Sequence, residues 1–227
     1  MDTKTLILDH AVRHFAEKGY DGVSLREISR NAGLNTALIH YHFGNKETVY
    51  REVISHYLQG LNEQRLDNLR HIDPSLKGKR RLEALIRGYI APHLQLCGDP
   101  KAHAYVRLLA RFVTENHPLT YSIYTELLKP IRNQYLEALH EAAPQIPIDT
   151  MTRAFSFAVM LMITAPYDGS YRSMSGRDAW PENPEDLIEH IVRFTVARFT
   201  ELSETAGDDQ NPGSPTMTPQ STIKEKQ

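Results

Sequence analysis

Apolar residues recur at helical spacing from the start of the chain. Between Thr3 and Gly19, the side chains of Ile7, Ala11 and Phe15 fall on one face of a helix. A glycine directly after the last periodic residue is a typical helix stop, and Gly19 has this position. We expect this amphipathic segment to form the first helix.

Two short helices are predicted next, joined by a tight turn. The hydroxyl of Ser24 can cap the amide of Glu27, whose carboxylate can reach back to complete a capping box. This second helix should run to about Asn31. Asn35 is a good N-cap for a third helix over 36–43. Because the connection is so short, the two helices must cross steeply, as in a helix-turn-helix.

A long fourth helix is predicted from Asn45 to about His71, and further helices follow. Its apolar stripe consists of Tyr50, Val53, Ile54, Tyr57, Leu58 and Leu61. Beyond a joint at Asp73 and Pro74, helical patterns cover 80–97, 101–116, 119–142, 149–165 and 184–203. No run of alternating β-branched residues competes with helix. The predicted fold class is therefore all-α.

Composition indicates a globular protein but gives no overall sign of nucleic-acid binding. Hydrophobic residues make up 41% of the 227 positions, and the net charge is −2. The single cysteine, Cys97, cannot form an internal disulfide, and no signal-like segment or run of about 18 apolar residues is present. We therefore expect a cytoplasmic protein without membrane contact, in which any DNA binding depends on local geometry.

The third predicted helix has the side chains that a DNA-reading helix needs. Leu38, Ile39 and Phe43 can form its buried side. The outward residues offer hydroxyl, imidazole and methyl groups to phosphates and to thymine: Thr36, Ala37, His40, Tyr41 and His42. Lys46 begins the next helix, where a cation and free backbone amides together suit one phosphate.

Residues 3–50 resemble the DNA-binding domain of the TetR family of bacterial regulators. The resemblance is carried by Phe15 to Tyr20, Ser24 to Ile28, Ala32 to Leu34, the aromatic run ending in Phe43, and Lys46-Glu47. It implies DNA contacts by Thr36, Tyr41, His42 and Lys46, with Ser24, Arg26 and Asn35 as secondary phosphate contacts. Position 36 carries threonine where a basic residue is often found, so the resemblance does not imply guanine reading there.

The resemblance, together with a Gly- and Pro-rich composition beyond Thr205 that has scarcely any apolar residues, implies a three-part organisation and a function. We expect a helix-turn-helix DNA-binding domain over 1–50, a helical effector-binding and dimerisation domain over 51–204, and a disordered tail over 205–227. The long fourth helix joins the two domains. The expected function is a repressor that binds a palindromic operator as a homodimer and is released by a small, mostly apolar effector. A ligand-dependent activator or a co-repressed regulator on the same fold is the alternative.

The candidate effector cavity lies in the second domain. Segments 101–116 and 119–142 supply apolar lining and a few arginines, while 154–165 is apolar on every face and can line a cavity on one side. The expected effector-binding residues are Tyr105, Arg107, Leu108, Arg111, Phe112, Tyr124, Leu128, Phe157, Met160 and Leu161. The alternative is that the apolar members are ordinary core and the arginines lie at the surface.

The expected dimer interface comprises the helices 149–165 and 184–203, because family members dimerise through their last two helices. The second of them carries an apolar stripe formed by Leu187, Ile188, Ile191, Val192, Thr195 and Phe199. The alternative is that both helices serve only the core of one chain. The fourth helix is expected to couple effector binding to DNA binding. A displacement of its C-terminal end, near Leu69 and Ile72, would move the DNA-binding domain.

Other classes of function find little support in the sequence. His10 and His14 can share a helix face, but no carboxylate or cysteine at ligand spacing completes a metal site with them or with His40 and His42. No Gly-x-Ser-x-Gly motif or phosphate loop indicates an enzyme, and no cofactor is expected. A protein-binding adaptor that has lost DNA binding is disfavoured, because Tyr41, His42 and Lys46 are retained at outward-facing positions. The basic cluster over 77–81 is either solvated surface or a further DNA contact.

Overall fold

In a computed structural model, residues 2–115, 117–167 and 183–208 are described, and their regular secondary structure is entirely helical. The helices are α1 (Thr3–Lys18), α2 (Leu25–Asn31), α3 (Thr36–Phe43), α4 (Lys46–His71), α5 (Gly78–Cys97), α6 (His103–Thr114), α7 (Pro118–Ile123), α8 (Lys129–Ala142), α9 (Ile148–Thr164) and α10 (Pro184–Asp208). Short 3-10 turns occupy Pro100–Ala102 and Ala165–Tyr167. The predicted all-α fold, with an N-terminal helix-turn-helix and a C-terminal helical body, is confirmed.

Most helix limits match the sequence pattern, but one predicted helix is broken. The segment expected as a single helix over 119–142 consists of α7, a π-helical turn at Tyr124–Leu128, and α8. Pro130 lies in the first turn of α8 and has no backbone N–H to donate, which interrupts the regular hydrogen-bond ladder. At the other end of the chain, α10 continues past the predicted limit to Asp208. The segment from Asp168 to Pro184, whose glycine and proline residues predict a loop, and the part of the tail beyond Asp208 lie largely outside the described residues.

The N-terminal core contains α6 as well as the first four helices. Ile7 and Phe15 of α1 are fully buried together with Tyr105 and Leu108 of α6. Tyr105 stacks on Tyr57 of α4, with ring centroids 3.8 Å apart. The expectation from sequence was that Tyr105 and Leu108 face an effector. They instead fill the core between α6 and the DNA-binding helices, because the apolar face of α6 is needed to cover α1.

The C-terminal core joins α5, α8, α9 and α10. Tyr89, Tyr135 and Phe155 meet in it edge to face, with centroid separations of 5.1 and 4.9 Å. Arg87 of α5 forms ion pairs with two glutamates of α10, Glu185 and Glu189. The apolar stripe expected at the dimer interface is buried in this core: Leu187, Ile188, Ile191, Val192, Thr195 and Phe199. The apolar face of α10 lies against α5 and α9. For this stripe, the alternative therefore applies: it belongs to the core of a single chain.

The long helix α4 belongs to both cores. Val53, Ile54 and Leu58 are buried among the N-terminal helices, whereas Leu69 and Ile72 pack against the C-terminal core. Among the described helices, none combines the length and the apolar character needed to cross a bilayer. The architecture therefore places the short helices α2 and α3 at one end of α4 and the helical body along its other half.

Candidate nucleic-acid interface and ligand cavity

Helix α3 is fixed at both ends by its own residues. The side-chain oxygen of Asn35 accepts a hydrogen bond from the amide of Ala37 at 2.9 Å, and Gly44, with a φ of 74°, ends the helix in a left-handed conformation. Ile39 is buried on one face, but Leu38 is 39% exposed. The prediction that Leu38 is buried was wrong, because consecutive helix positions differ by about 100° and only one of the two can face the core.

Thr36 holds α3 against α2. Its hydroxyl lies 2.7 Å from the hydroxyl of Ser29, which itself donates to the carbonyl of Arg26 at 3.0 Å. Because Ser29 has a single hydroxyl proton, Thr36 must be the donor between the two. Of the two groups on Thr36 that the sequence assigned to DNA, the hydroxyl is therefore engaged within the helix-turn-helix, which leaves the methyl group for a base.

The outward face of α3 presents aromatic and imidazole rings. Tyr41 is 83% exposed and its ring meets that of His42 edge-on at 5.2 Å, while Ala37 is also exposed. His40 places its Nδ1 2.7 Å from the carbonyl oxygen of Gly44. A ring nitrogen that faces a carbonyl must donate, so Nε2 of a neutral His40 is an acceptor. His40 can therefore donate to a phosphate only when its ring is doubly protonated.

The predicted secondary phosphate contacts lie at the start of α2. The Ser24 hydroxyl accepts from the amide of Glu27 at 3.2 Å, and both Ser24 and Arg26 are exposed. The predicted capping box is only half formed. The carboxylate of Glu27 pairs with Lys18 of α1 instead of reaching back to Ser24, because the ammonium group offers a charged partner.

Lys46, the first residue of α4, is held above an aromatic ring. Its Nζ donates to the carbonyl of Val23 at 3.0 Å and lies 4.3 Å from the ring centroid of Tyr20. The Tyr20 ring is in turn edge-on to Tyr50 at 5.1 Å and 4.4 Å from the ring of His117. Burial raises the pKa of Tyr20 above its ordinary value. The ammonium group of Lys46 thus has a fixed place beside the free amides of the helix start.

A cavity of about 360 Å³ lies against the middle of α4. Helices α5, α6, α7, α8 and α9 and the π-helical turn complete its wall. The lining residues are Leu58, Leu61, Arg65, Tyr89, His93, Leu109, Phe112, Val113, His117, Pro118, Thr120, Tyr121, Tyr124, Leu128, Arg132, Val159, Met162 and Ile163. The size falls within the range of small-molecule pockets, about 300–1,000 Å³.

The polar lining of the cavity includes two arginines and a fully buried histidine. Arg65 is 2% exposed, donates from Nε to the carbonyl of Tyr89 at 3.0 Å, and lies 4.2 Å from the centroid of the Tyr89 ring. Arg132 donates to the hydroxyls of Tyr124 and Ser156, at 3.0 and 2.8 Å. His93 is buried with neither ring nitrogen hydrogen-bonded. Desolvation, reinforced by the charge of Arg65, lowers the pKa of His93 to about 3.

Three of the ten predicted effector-binding residues line this cavity: Phe112, Tyr124 and Leu128. Arg107 is exposed, and Arg111 pairs with Glu115 and donates to the carbonyl of Glu17 at 3.2 Å. The remaining members lie outside the wall: Tyr105 and Leu108 in the N-terminal core, Phe157 and Met160 at the surface (65% and 47% exposed), and Leu161 against the C-terminal core. These seven were assigned from the composition of their helices, which does not reveal which face meets the cavity.

Arg65, His93 and Arg132 were missed by the sequence reasoning. One signal was available, because Arg65 continues the spacing of Leu58 and Leu61 along the apolar stripe of α4. A charged residue on a buried stripe is a candidate functional group, since it must find a partner inside the protein. No comparable signal marks His93, which follows Pro92 within α5.

The two domains meet where α1 ends. Gly19 has a φ of 71°, and a Cβ atom at this position would lie 2.8 Å from Oε1 of Glu115. The same end of α1 receives the hydrogen bond from Arg111. A second connection runs from α4 to the cavity wall, since Arg51 donates to Glu126 and Ser122, both at 3.0 Å. The cavity wall is therefore tied to the DNA-binding helices at two places.

The histidines considered as metal ligands have other surroundings. His14 is buried between α1 and α2, with Nε2 2.8 Å from the side-chain amide of Asn31. Within the described ranges, no group of three histidine, cysteine, aspartate or glutamate side chains is arranged to hold a metal ion. His14 thus belongs to the packing of the helix-turn-helix.

Comparison with known proteins agrees with this architecture. Residues 7–53 match the family model described as bacterial regulatory proteins of the tetR family, and residues 87–197 match the tetracyclin repressor-like C-terminal domain. Over 51 residues, the chain is 43% identical to IcaR, the negative transcriptional regulator of the icaADBC biofilm operon in Staphylococcus epidermidis. That match covers 22% of this chain and only 28% of IcaR.

Solved structures extend the similarity over most of the chain. The fatty acid degradation regulator FadR from Bacillus halodurans aligns with a TM-score of 0.62 and 18% identity, over 85% of this chain and 97% of FadR. AmtR from Mycobacterium smegmatis aligns with a TM-score of 0.59 and 17% identity, over 92% and 95% of the two chains. At this level of identity the likeness shows the fold. With both domains matched in order, the chain belongs to the TetR family of transcriptional regulators.

Proposed function

We propose that the protein is a transcriptional repressor that binds a palindromic operator as a homodimer and is released by a small, mostly apolar effector. The observation that carries the proposal is the position of His117, which lines the cavity and also contacts Tyr20, the ring beneath Lys46. A ligand-binding space and a candidate phosphate contact are thus separated by one aromatic side chain. We propose repression rather than activation because the similar protein IcaR is named a negative regulator.

Operator recognition requires two copies of α3. An eight-residue helix reaches only a few base edges, whereas a twofold pair can address half-sites one or more helical turns apart. Tyr41, His42 and the methyl group of Thr36 are proposed to reach bases or phosphates. Lys46 and the start of α2 at Ser24 are proposed to fix the position on the backbone.

The proposed dimer interface is the outer face of α9 and α10. Phe157 and Met160 of α9 and Phe194 of α10 are 65%, 47% and 64% exposed, although the two helices pack on each other within the chain. Exposed aromatic side chains of this size are typical of a surface that another protein covers. Because the opposite face of α10 fills the core, the partner has only this outer face to contact.

Release by an effector requires a ligand that prefers a conformation with wrongly spaced recognition helices. The cavity lies against Leu58, Leu61 and Arg65 in the middle of α4. The sequence suggested instead that a ligand displaces the C-terminal end of this helix, near Leu69 and Ile72. We therefore propose that the ligand acts on the DNA-binding helices through α6 and α7 as well as through α4.

The decisive experiment is operator mapping on the DNA that flanks the protein's own gene. Footprinting should reveal a protected inverted repeat, and light scattering of the free protein should give twice the mass of the chain. A protected site without twofold symmetry, or a monomer at micromolar concentration, would contradict the proposal. If a ligand strengthens rather than weakens protection, the protein is a co-repressed regulator.

A further inference from the structure

We propose that the effector is a singly charged anion with an apolar body, such as a carboxylic acid, whose anionic group binds Arg65 and His93. This inference rests on the proposed function, because it names the chemical class of the ligand that occupies the cavity. Three observations carry it: an unpaired buried cation, an unpartnered buried histidine beside it, and a lining without acidic groups.

Arg65 is a buried cation without an acidic partner. It is 2% exposed, and its hydrogen-bond acceptors are the carbonyl of Tyr89, the side-chain oxygen of Asn62 at 3.3 Å and the sulfur of Met162 at 3.8 Å. All three are neutral. None of the ion pairs among the described residues includes Arg65. A guanidinium group has five N–H donors, so two remain for a ligand on the terminal nitrogens.

An unpaired charge in the interior is costly, and its natural complement is an anion with two acceptor oxygens. A carboxylate matches the fork of the guanidinium group and gives charge-assisted hydrogen bonds. The weak contact to the Met162 sulfur can be given up to such a ligand, because a thioether is a poor acceptor. The cavity is therefore arranged to receive negative charge at Arg65.

His93 adds a hydrogen-bond donor at this place without adding charge. Both of its ring nitrogens are buried and unpartnered, and the ring lines the same cavity as Arg65. Buried polar groups normally have hydrogen-bond partners, and an exception calls for an explanation. A neutral imidazole can donate from one nitrogen to a ligand oxygen. With one cation and one neutral donor, this end of the cavity suits a single negative charge.

The other charged groups leave this assignment intact. The cavity lining contains no aspartate or glutamate among the residues described, which disfavours cationic ligands. Arg132 is anchored on Ser156, six residues before Met162 on α9 and thus about 9 Å along the helix axis. Arg132 therefore lies at a different level from Arg65, where its field adds to the preference for anions. Leucines, valines and aromatic rings form most of the remaining wall and suit an apolar body.

The test compares three probes that share one tail and differ in the head group: octanoate, 1-octanol and octylammonium. Isothermal titration of the full-length protein should show octanoate binding about tenfold or more tightly than 1-octanol, the gain typical of one charge-assisted contact. Octylammonium should not bind measurably. Equal affinities for octanoate and 1-octanol would overturn the proposal, as would tighter binding of octylammonium.

Variants locate the head group. Arg65→Met replaces the cation with an apolar side chain of similar length, and should abolish the preference for octanoate while 1-octanol still binds. Arg70→Met, on an exposed turn of the same helix, is the matched control and should leave both affinities unchanged. His93→Phe should reduce octanoate binding several-fold and keeps the test valid if Arg65→Met does not fold. Octanoate binding that is insensitive to both cavity variants would also contradict the assignment.

The same samples separate this inference from the proposed function. Footprinting on the protein's own upstream DNA is carried out with and without octanoate. Operator protection without selective octanoate binding would reject the ligand class and leave the repressor proposal standing. Selective octanoate binding without any protected operator would support the ligand class and reject the repressor.

Discussion

The ring centroids of His117 and Tyr20 lie 4.4 Å apart, and this contact links the ligand cavity to the DNA-binding helices. His117 belongs to the cavity wall, while Tyr20 lies in the turn after α1 and supports the ammonium group of Lys46 at 4.3 Å. A ligand that displaces His117 therefore changes the packing beneath a candidate phosphate contact. No large motion of α4 is needed for this effect.

His117→Ala should weaken the coupling between the two sites without abolishing either binding event. Coupling free energies of this kind are typically about 1–3 kcal/mol, and the variant should lose a substantial part of that value. The measurement is effector titration with and without operator DNA, because the coupling is reciprocal. His71→Ala, at the exposed end of α4, is the control. Unchanged coupling in His117→Ala would show that the Tyr20 contact is incidental.

Lys46→Ala should weaken binding to all DNA sequences about equally. If Lys46 neutralises one phosphate, the slope of log affinity against log salt concentration should become shallower by about one unit. Lys101→Ala, on the exposed 3-10 turn before α6, serves as the control with an unchanged slope. An unchanged salt dependence in Lys46→Ala would mean that Lys46 contacts no phosphate and serves only the local packing with Val23 and Tyr20.

Thr36 offers a pair of substitutions that separate its two groups. Thr36→Val removes the hydrogen bond to Ser29 and should lower the free energy of unfolding by about 1 kcal/mol. Thr36→Ser keeps the hydroxyl and removes the methyl group, so stability should be retained while discrimination at one base pair changes. Denaturant unfolding and a panel of mutated operators measure the two effects. The reverse pattern would mean that the hydroxyl, not the methyl group, reads the base.

Phe157→Glu should prevent dimer formation. It places a charge on the exposed face of α9 that is proposed to be covered by a second chain, and burial of an unpaired charge is strongly unfavourable. Light scattering should then report a monomer with unchanged helical circular dichroism. Gln134→Glu on the exposed face of α8 provides the comparison and should remain dimeric. A dimeric Phe157→Glu variant would place the interface elsewhere.

His93 makes stability depend on pH in a defined window. Its pKa is lowered to about 3 in the folded protein, against about 6.5 in the unfolded chain. Between these values the unfolded state binds more protons, so stability falls as the pH decreases below about 6.5. At pH 5 the loss attributable to this ring is about 2 kcal/mol. His93→Phe should flatten the dependence of the melting temperature between pH 7 and 5, whereas His71→Phe should not.

Local signals made the helix-turn-helix predictable, whereas the cavity depends on packing between distant segments. Asn35 and Asn45 cap the helices that follow them through hydrogen bonds over two or three residues, so the first residues of α3 and α4 follow from sequence alone. The orientation of α6 is set by its partners. An amphipathic pattern shows that Tyr105 has to be buried but not whether α1 or a ligand covers it.

The same limit applies to polar side chains. The engagement of the Thr36 hydroxyl by Ser29 depends on the crossing of α2 and α3, and residue type alone suggests only that it can reach DNA. Arg65 and His93 lie on different helices, 28 positions apart, and become one polar end of a cavity only through the packing of α4 on α5. Such juxtapositions have no signature in a single sequence.

The burial of α6 against α1 limits how this regulator can be re-engineered. Tyr105, Val106 and Leu108 complete the core of the DNA-binding end, although they follow it by some 50 positions. A chimera that joins residues 1–50 to the sensing half of another regulator would leave the apolar side of α1 uncovered, unless the new partner brings a complementary helix. Exchange of operator specificity should therefore succeed by transplanting the surface of α3 alone, or by moving α1 to α4 together with α6.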